Sequence, residues 1–174
     1  MIVRRERPAD HDAVRALYVA AFAPSEVEAR LTDELREDAG FLPHLSLVAV
    51  DGGEVVGHVI ATRGWLEPFG TPVLGLGPLG VHPDRQRSGV GTVLVHALLA
   101  VAEAADERLV ALLGSPDYYR RLGFVAAAEI GISAPDPAWG AYFQARHLNG
   151  PPVAGAFRYA EPFDRLSGGG PAAG

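Results

Sequence analysis

Leu79-Gly80-Val81-His82-Pro83-Asp84-Arg85-Gln86-Arg87-Ser88-Gly89-Val90-Gly91 decides how this chain is read. An apolar run enters the stretch, a proline turn follows, and two glycines open onto Val90, Val93, Leu94, Ala97, Leu98 and Val101. Those apolar residues keep the spacing of a helix with one buried stripe, which predicts a helix from Gly89 to about Ala105. A helix start leaves four backbone amides without partners and carries partial positive charge. Gly89 and Gly91 let that backbone approach an anion closely, and Arg87 adds a full charge beside it. The stretch therefore predicts a strand, a loop that holds phosphate or pyrophosphate, and a helix. The plainer alternative is an ordinary glycine-rich strand-to-helix turn.

Upstream, Thr71 to His82 is an apolar, glycine-rich strand. It contains Gly75-Leu76-Gly77-Pro78-Leu79-Gly80, a literal GxGxxG. A dinucleotide site needs a helix opening inside that match. Pro78 and the following Val81-His82-Pro83 continue a strand instead, so a bulged strand is the better reading. A nicotinamide oxidoreductase would rest on this motif alone. Leu45 to Asp51 and Glu54 to Arg63 flank Asp51-Gly52-Gly53, a hairpin signal. Before them, Ile2 to Arg7 reads as an edge strand. Pro8 opens a helix with Val14, Leu17, Tyr18 and Ala21 on one face, and Ser25 with Glu28 forms a capping box for a helix reaching about Asp38.

Downstream, Arg108 to Gly114 is a buried strand, Ser115 to Leu122 a short helix stopped by Gly123, and Phe124 to Ile130 a strand. Residues 131–150 give mixed signals, and Pro151 to Tyr159 suggests a last strand. Residues 1–164 are expected to form a single domain, followed by a flexible Gly/Pro/Ala tail at 165–174. The order implies an α/β fold with a mixed sheet and helices on its faces.

The length of 174 residues fits one domain. There is no cysteine, which excludes thiolate metal sites and a cysteine nucleophile. There is no lysine either, since all 15 basic residues are arginine, and this excludes a Walker-type loop. The net charge of -6 argues against a nucleic-acid partner. No apolar run has the length of a membrane span, so a cytoplasmic protein without a membrane partner is expected. His11, His44, His96 and His147 share no ligand spacing, and no metal is expected.

Gln86-Arg87-Ser88-Gly89-Val90-Gly91 resembles the acetyl-CoA motif of the GNAT superfamily of acetyltransferases, a Gln or Arg, two residues, Gly, one residue, then Gly or Ala. Tyr119-Arg120-Arg121-Leu122-Gly123-Phe124 resembles the family's Tyr-x-x-x-Gly-Phe, in the expected order and on the expected elements. The resemblance implies a GNAT-like acyl-CoA N-acyltransferase fold: a mostly antiparallel sheet with splayed parallel strands and helices on both faces. It implies acetyl-CoA as co-substrate, with Leu79 and Val81 pairing with the pantetheine arm. Gln86, Arg87, Ser88, Gly89, Val90, Gly91 and Thr92 would form the pyrophosphate loop. Tyr119 would protonate the departing thiolate, while Tyr118 faces the other way. The implied acceptor is a primary amine on a small molecule or peptide, acetylated by direct transfer in a ternary complex; a homodimer is left open. A non-catalytic acyl-CoA-binding sensor would keep Gln86–Gly91 and tolerate loss of Tyr119.

An alkyl amine has a pKa near ~10.4, so attack at neutral pH needs a group that takes a proton. Many family members supply a glutamate on the strand equivalent to Thr71–Val81, and this chain has no acid there. His58, Glu67 or a water chain near Ser115 or Asp117 are the candidates. Trp65 with Phe69, and Trp139 with Tyr142 and Phe143, are aromatic groups that would wall an acceptor pocket or pack as core.

Overall fold

The computed structural model describes residues 1–166. The predicted tail from residue 167 on lies outside the described residues. The elements in chain order are β1 (Ile2–Arg5), α1 (His11–Ala21), α2 (Val27–Glu37), β2 (Ser46–Asp51), β3 (Glu54–Glu67), β4 (Thr71–Val81), α3 (Val90–Ala104), β5 (Leu109–Leu113), α4 (Pro116–Tyr119), β6 (Val125–Ala126), β7 (Ile132–Ser133), β8 (Phe143–His147), β9 (Gly155–Arg158) and α5 (Glu161–Asp164).

The described strands form one mixed sheet in the order β1-β2-β3-β4-β5-β8-β6, with β9 pairing the far end of β3 and also β7. Antiparallel pairs run from β1 to β4, and β5 pairs antiparallel with β8. The expected edge strand is β1. Gly52 and Gly53, both at positive φ, make the β2–β3 hairpin, because two successive left-handed positions suit a tight primed turn.

The functionally decisive join is β4–β5. These strands run parallel, yet they pair only at Leu74↔Val110 and Gly75↔Ala111. Beyond Gly75 they part, and Leu76 to Val81 have no strand on that side. Helix α3 covers one face of the sheet, packing Val90, Leu94 and Leu98 with Leu47, Val59, Ala61 and Leu76. Helices α1 and α2 cover the other, where Leu31 and Leu35 meet Ile60 and Val73. Alternation along β3 explains the two cores: Val59 and Ala61 face α3, and Ile60 between them faces α2.

Two expectations are corrected. Phe124 to Ile130 is not one strand. Only Val125–Ala126 pairs, with β8, and Ala127–Ile130 winds into a 3-10 turn stopped by Gly131 at positive φ. The alanines there offer no β-branched surface to hold an extended chain. Ser25 makes no capping box. Helix α2 begins two residues later; the Ser25 hydroxyl accepts from the Val27 amide (3.2 Å) and donates to Glu28 Oε2 (3.2 Å). The unassigned segment 131–150 holds β7, a turn at Pro137–Tyr142 and all of β8, whose Phe143 and Ala145 are core residues.

The Tyr159 hydroxyl is buried without a partner among the described residues. An unsatisfied buried hydroxyl costs about 1–3 kcal/mol. Tyr159→Phe, which keeps the ring packing on Phe157 and Phe163, is therefore expected to melt at or above the parent temperature in calorimetry. A fall of several degrees would show that the hydroxyl is satisfied in solution.

Candidate functional site

The literal GxGxxG lies wholly inside β4. Val59 pairs with Leu79 and Ala61 with Leu76, so Ile60 alone faces Gly77 and Pro78. This is a bulge, which tolerates a proline that has no amide hydrogen to give the ladder. Gly77 sits at a φ of 140°. No helix opens here, and the dinucleotide geometry is absent from this stretch.

Past the bulge the amides alternate. The His82 amide donates to Val56 O on β3 (3.0 Å). Along an extended strand, Leu79 and Val81 then direct their backbone groups the other way, into the gap left by β5. Gln86 closes the end of that gap, its side-chain amide donating to Val81 O (3.2 Å). His82 caps the following turn by accepting from the Asp84 amide (3.3 Å). Arg87 and Gly89 both have positive φ, and α3 starts at Val90. Left-handed residues just before a helix turn successive amides toward one point, the geometry that cradles anions. A Cβ at Gly89 would meet nothing, whereas one at Gly91 would lie 2.9 Å from the Tyr118 hydroxyl. Glycine at 91 thus keeps the helix start open beside Tyr118.

A cleft of about 590 Å³ runs over this loop, lined by Phe22, Leu79, Val81, Gln86, Arg87, Gly89, Gly91, Thr92, Ser115 and Tyr118 among others. Its size falls in the range of small-molecule and cofactor sites. Seven of the nine residues expected to bind the co-substrate line it; Ser88 and Val90 do not. Ser88 bonds the Arg85 carbonyl, and Val90 packs under the helix against the α3 core. Tyr118 lines this cleft and does not simply face the other way from Tyr119, because the two rings touch edge-on.

A second, smaller cavity of about 50 Å³ lies in the splay, walled by the bulge at Leu76 to Leu79, by Leu113, and by Phe22, Glu28, Leu31, Tyr119, Phe163 and Leu166. Phe22 and Leu79 belong to both walls, so the cavities adjoin. Tyr119 is held edge-on to Phe124 (5.7 Å) and Tyr118 (4.8 Å). Gly114 makes room for it, since a Cβ there would sit 2.3 Å from the Tyr119 ring. Burial, with the neighbouring Tyr118 adding to it, raises the Tyr119 phenol above its ordinary pKa. The phenol is therefore protonated at neutral pH.

His58 does not reach either cavity. It is wholly buried in a chain of polar groups: Nδ1 lies 2.9 Å from the Tyr18 hydroxyl, and Nε2 lies 2.9 Å from the Ser46 hydroxyl, which donates to Glu6 (2.6 Å). Tyr18 in turn donates to Pro78 O (2.9 Å), tying the bulge to this chain from behind. Glu67 is drawn aside at the end of β3 by Arg158 (3.1 Å), whose guanidinium lies over Trp65. Ser115 lines the cleft, and Asp117 is exposed. Neither aromatic group lines either of these two cavities. Phe69 is exposed, and Trp139 packs on Phe143 in the core. The acid that sequence reasoning missed is Glu28, buried in the wall of the same small cavity that Tyr119 lines. Its signal was its place on the buried stripe of α2, three and seven residues before Leu31 and Leu35.

The sequence profile of the Acetyltransferase (GNAT) family matches residues 11–124. The chain belongs to the GNAT family of acetyltransferases. The GNAT chain is 34% identical to the uncharacterized N-acetyltransferase YhbS of Escherichia coli K12 over 172 residues, covering 95% of this chain and 100% of YhbS. It superposes on the crystal structure of E. coli YhbS in complex with CoA with a TM-score of 0.85 at 32% identity, covering 95% of this chain and 93% of that one. A GNAT acetyltransferase from Brucella melitensis in complex with acetyl-CoA matches with a TM-score of 0.77 at 34% identity, covering 94% and 97%. Among the described residues, no group of three or more His, Asp or Glu is gathered in a way that could hold a metal, and no helix is long and apolar enough to cross a membrane.

Proposed function

We propose that this GNAT protein is an N-acetyltransferase that moves the acetyl group of acetyl-CoA directly to a primary amine in a ternary complex. One observation carries the reading: a buried phenol, Tyr119, lines a small cavity that shares Phe22 and Leu79 with a large cleft over an anion-cradling loop. The residues fit the co-substrate. Leu79 and Val81 offer backbone groups to an amide-bearing arm, and the amides from Arg87 to Thr92 offer a seat for a pyrophosphate. The complexes of similar proteins with CoA and acetyl-CoA support the same assignment. Tyr119, kept protonated by burial, donates its proton to the thiolate as the thioester carbon–sulfur bond breaks. The chain has no cysteine to carry an acetyl group on sulfur, which favours direct transfer.

Thermal unfolding with acetyl-CoA tests the first half. Ligand at 100 times its Kd adds about 2.7 kcal/mol, roughly 5–11 °C for a domain of this size. Acetyl-CoA is expected to give that shift and NADH none. Release of free CoA on adding amines, read with a thiol reagent, tests the second half without background from the protein. A shift without CoA release from any amine would favour the non-catalytic acyl-CoA-binding reading.

A further inference from the structure

Three acidic side chains are buried in the described residues: Glu6, Asp10 and Glu28. Two have a guanidinium at hydrogen-bonding distance, Glu6 with Arg36 (2.6 Å) and Asp10 with Arg4 (2.7 Å). Glu28 forms no ion pair among the described residues. Its carboxylate receives only the Ser25 hydroxyl (3.2 Å), and its residue lines the cavity that Tyr119 also lines. A buried carboxylate without a counter-charge is costly, and such groups are normally paired. The chain has no lysine to supply one. Apart from Glu28 and Tyr119, the side chains of the wall are apolar, with Val27, Leu31, Leu76 and Phe163 among them. The cavity's 50 Å³ holds only a few heavy atoms, since a single water needs about 10–15 Å³ by the same measure.

We propose that Glu28 is the catalytic residue that receives the acceptor ammonium, and that the acceptor is an unbranched primary amine on an uncharged, apolar stem. The inference rests on the acetyltransferase reading above. The ammonium supplies the missing counter-charge on binding and gives one proton to the Glu28 carboxylate. The neutral nitrogen attacks the thioester carbonyl carbon, forming the carbon–nitrogen bond. The carbon–sulfur bond breaks, and the thiolate takes the Tyr119 proton. The second nitrogen-bound proton restores the Tyr119 phenol, the third stays on the amide, and Glu28 loses its proton to water. The slim, apolar surroundings disfavour a second charge, because a charged stem would enter the wall without a partner.

The full-length protein and its Glu28→Gln variant test this with acetyl-CoA and three acceptors: n-butylamine, glycine and putrescine. The parent is expected to use n-butylamine at least about tenfold better in kcat/KM than the two acceptors with charged stems, a factor that one unpaired charge exceeds easily. The variant is expected to lose about 10²–10⁴-fold in turnover of n-butylamine, the usual range for a general base. Its rate should rise about tenfold per pH unit up to the amine pKa, because only amine already neutral in solution can react. Its affinity for acetyl-CoA should hold, and its apo form should melt at or above the parent temperature, since an unpaired buried charge has been removed. Equal turnover of parent and variant, or a loss of turnover accompanied by a lower melting temperature, overturns the role of Glu28. Preference for glycine or putrescine overturns the acceptor class. If acetyl-CoA binds and no amine releases CoA, the acetyltransferase reading falls first, and this inference with it.

Discussion

Tyr119→Phe is expected to lower turnover by about 10²–10⁴-fold while the Kd for acetyl-CoA changes little. The substitution removes one oxygen and keeps the ring. Its edge-on contacts with Phe124 and Tyr118 persist, and so does the fit against Gly114. No hydrogen bond of the hydroxyl to the protein is lost, because none of the described residues holds it. The variant should therefore melt within a few degrees of the parent, which separates a chemical defect from a folding one. The loss should be largest with thioesters whose thiol leaves poorly, since proton donation matters most for a poor leaving group. The parent should show no loss of activity from ionisation of Tyr119 at neutral pH, because burial holds its phenol above the ordinary value near ~10. Equal kcat in parent and variant, measured by CoA release at saturating amine, would remove Tyr119 from the mechanism.

Glu28 and Tyr119 show what the sequence made visible. Tyr119 was legible because Tyr-x-x-x-Gly-Phe is a local pattern: Gly123, at positive φ, ends the turn and aims Phe124 under the tyrosine ring. The loop at Gln86–Gly91 was legible for the same reason, as its chemistry is made by backbone within six residues. The parting of β4 and β5 was accessible only through resemblance, since a pairing that ends at Gly75↔Ala111 joins segments far apart in sequence. Glu28 was read as half of a capping box because Ser-x-x-Glu is also a helix-start pattern. Only the fold brings it against Phe163 and Leu166, residues more than 130 positions away in sequence. His58 failed as a base for a like reason. Its pKa suited the task, but β3 turns it into the interior toward Ser46 and Tyr18, where burial lowers its pKa.

That interior chain gives the largest expected effect on stability. Arg36, on α2, reaches Glu6 through both Nε and Nη2, and both side chains are almost fully buried. Removing one partner of such a pair strands the other charge and costs about 3–5 kcal/mol. Arg36→Met is therefore expected to lower the melting temperature by roughly 6–20 °C, and Arg36→Met with Glu6→Gln to recover part of that loss. The consequence reaches the site, because the Glu6–Ser46–His58–Tyr18 chain ends on Pro78 O at the bulge. The same groups set the acid response. Burial alone would raise the Glu6 carboxyl, but His58, Arg36 and Ser46 overcome it and hold the carboxyl far below the usual carboxylate range. Burial depresses the His58 imidazole, outweighing the nearby Glu6. Both groups bind protons more readily in the unfolded chain. Their stabilisation is complete above the unfolded pKa values, near ~6.5 for histidine and ~4.3 for glutamate, and is lost as pH falls. Melting temperature is therefore expected to be level above about pH 7, to decline below about 6.5 as unfolded His58 takes up a proton, and to drop more steeply below about 4.5 as Glu6 joins it. In Glu6→Gln the steeper fall should shrink. If the parent's melting temperature stays level from pH 7 to pH 4, the buried chain does not control the acid response.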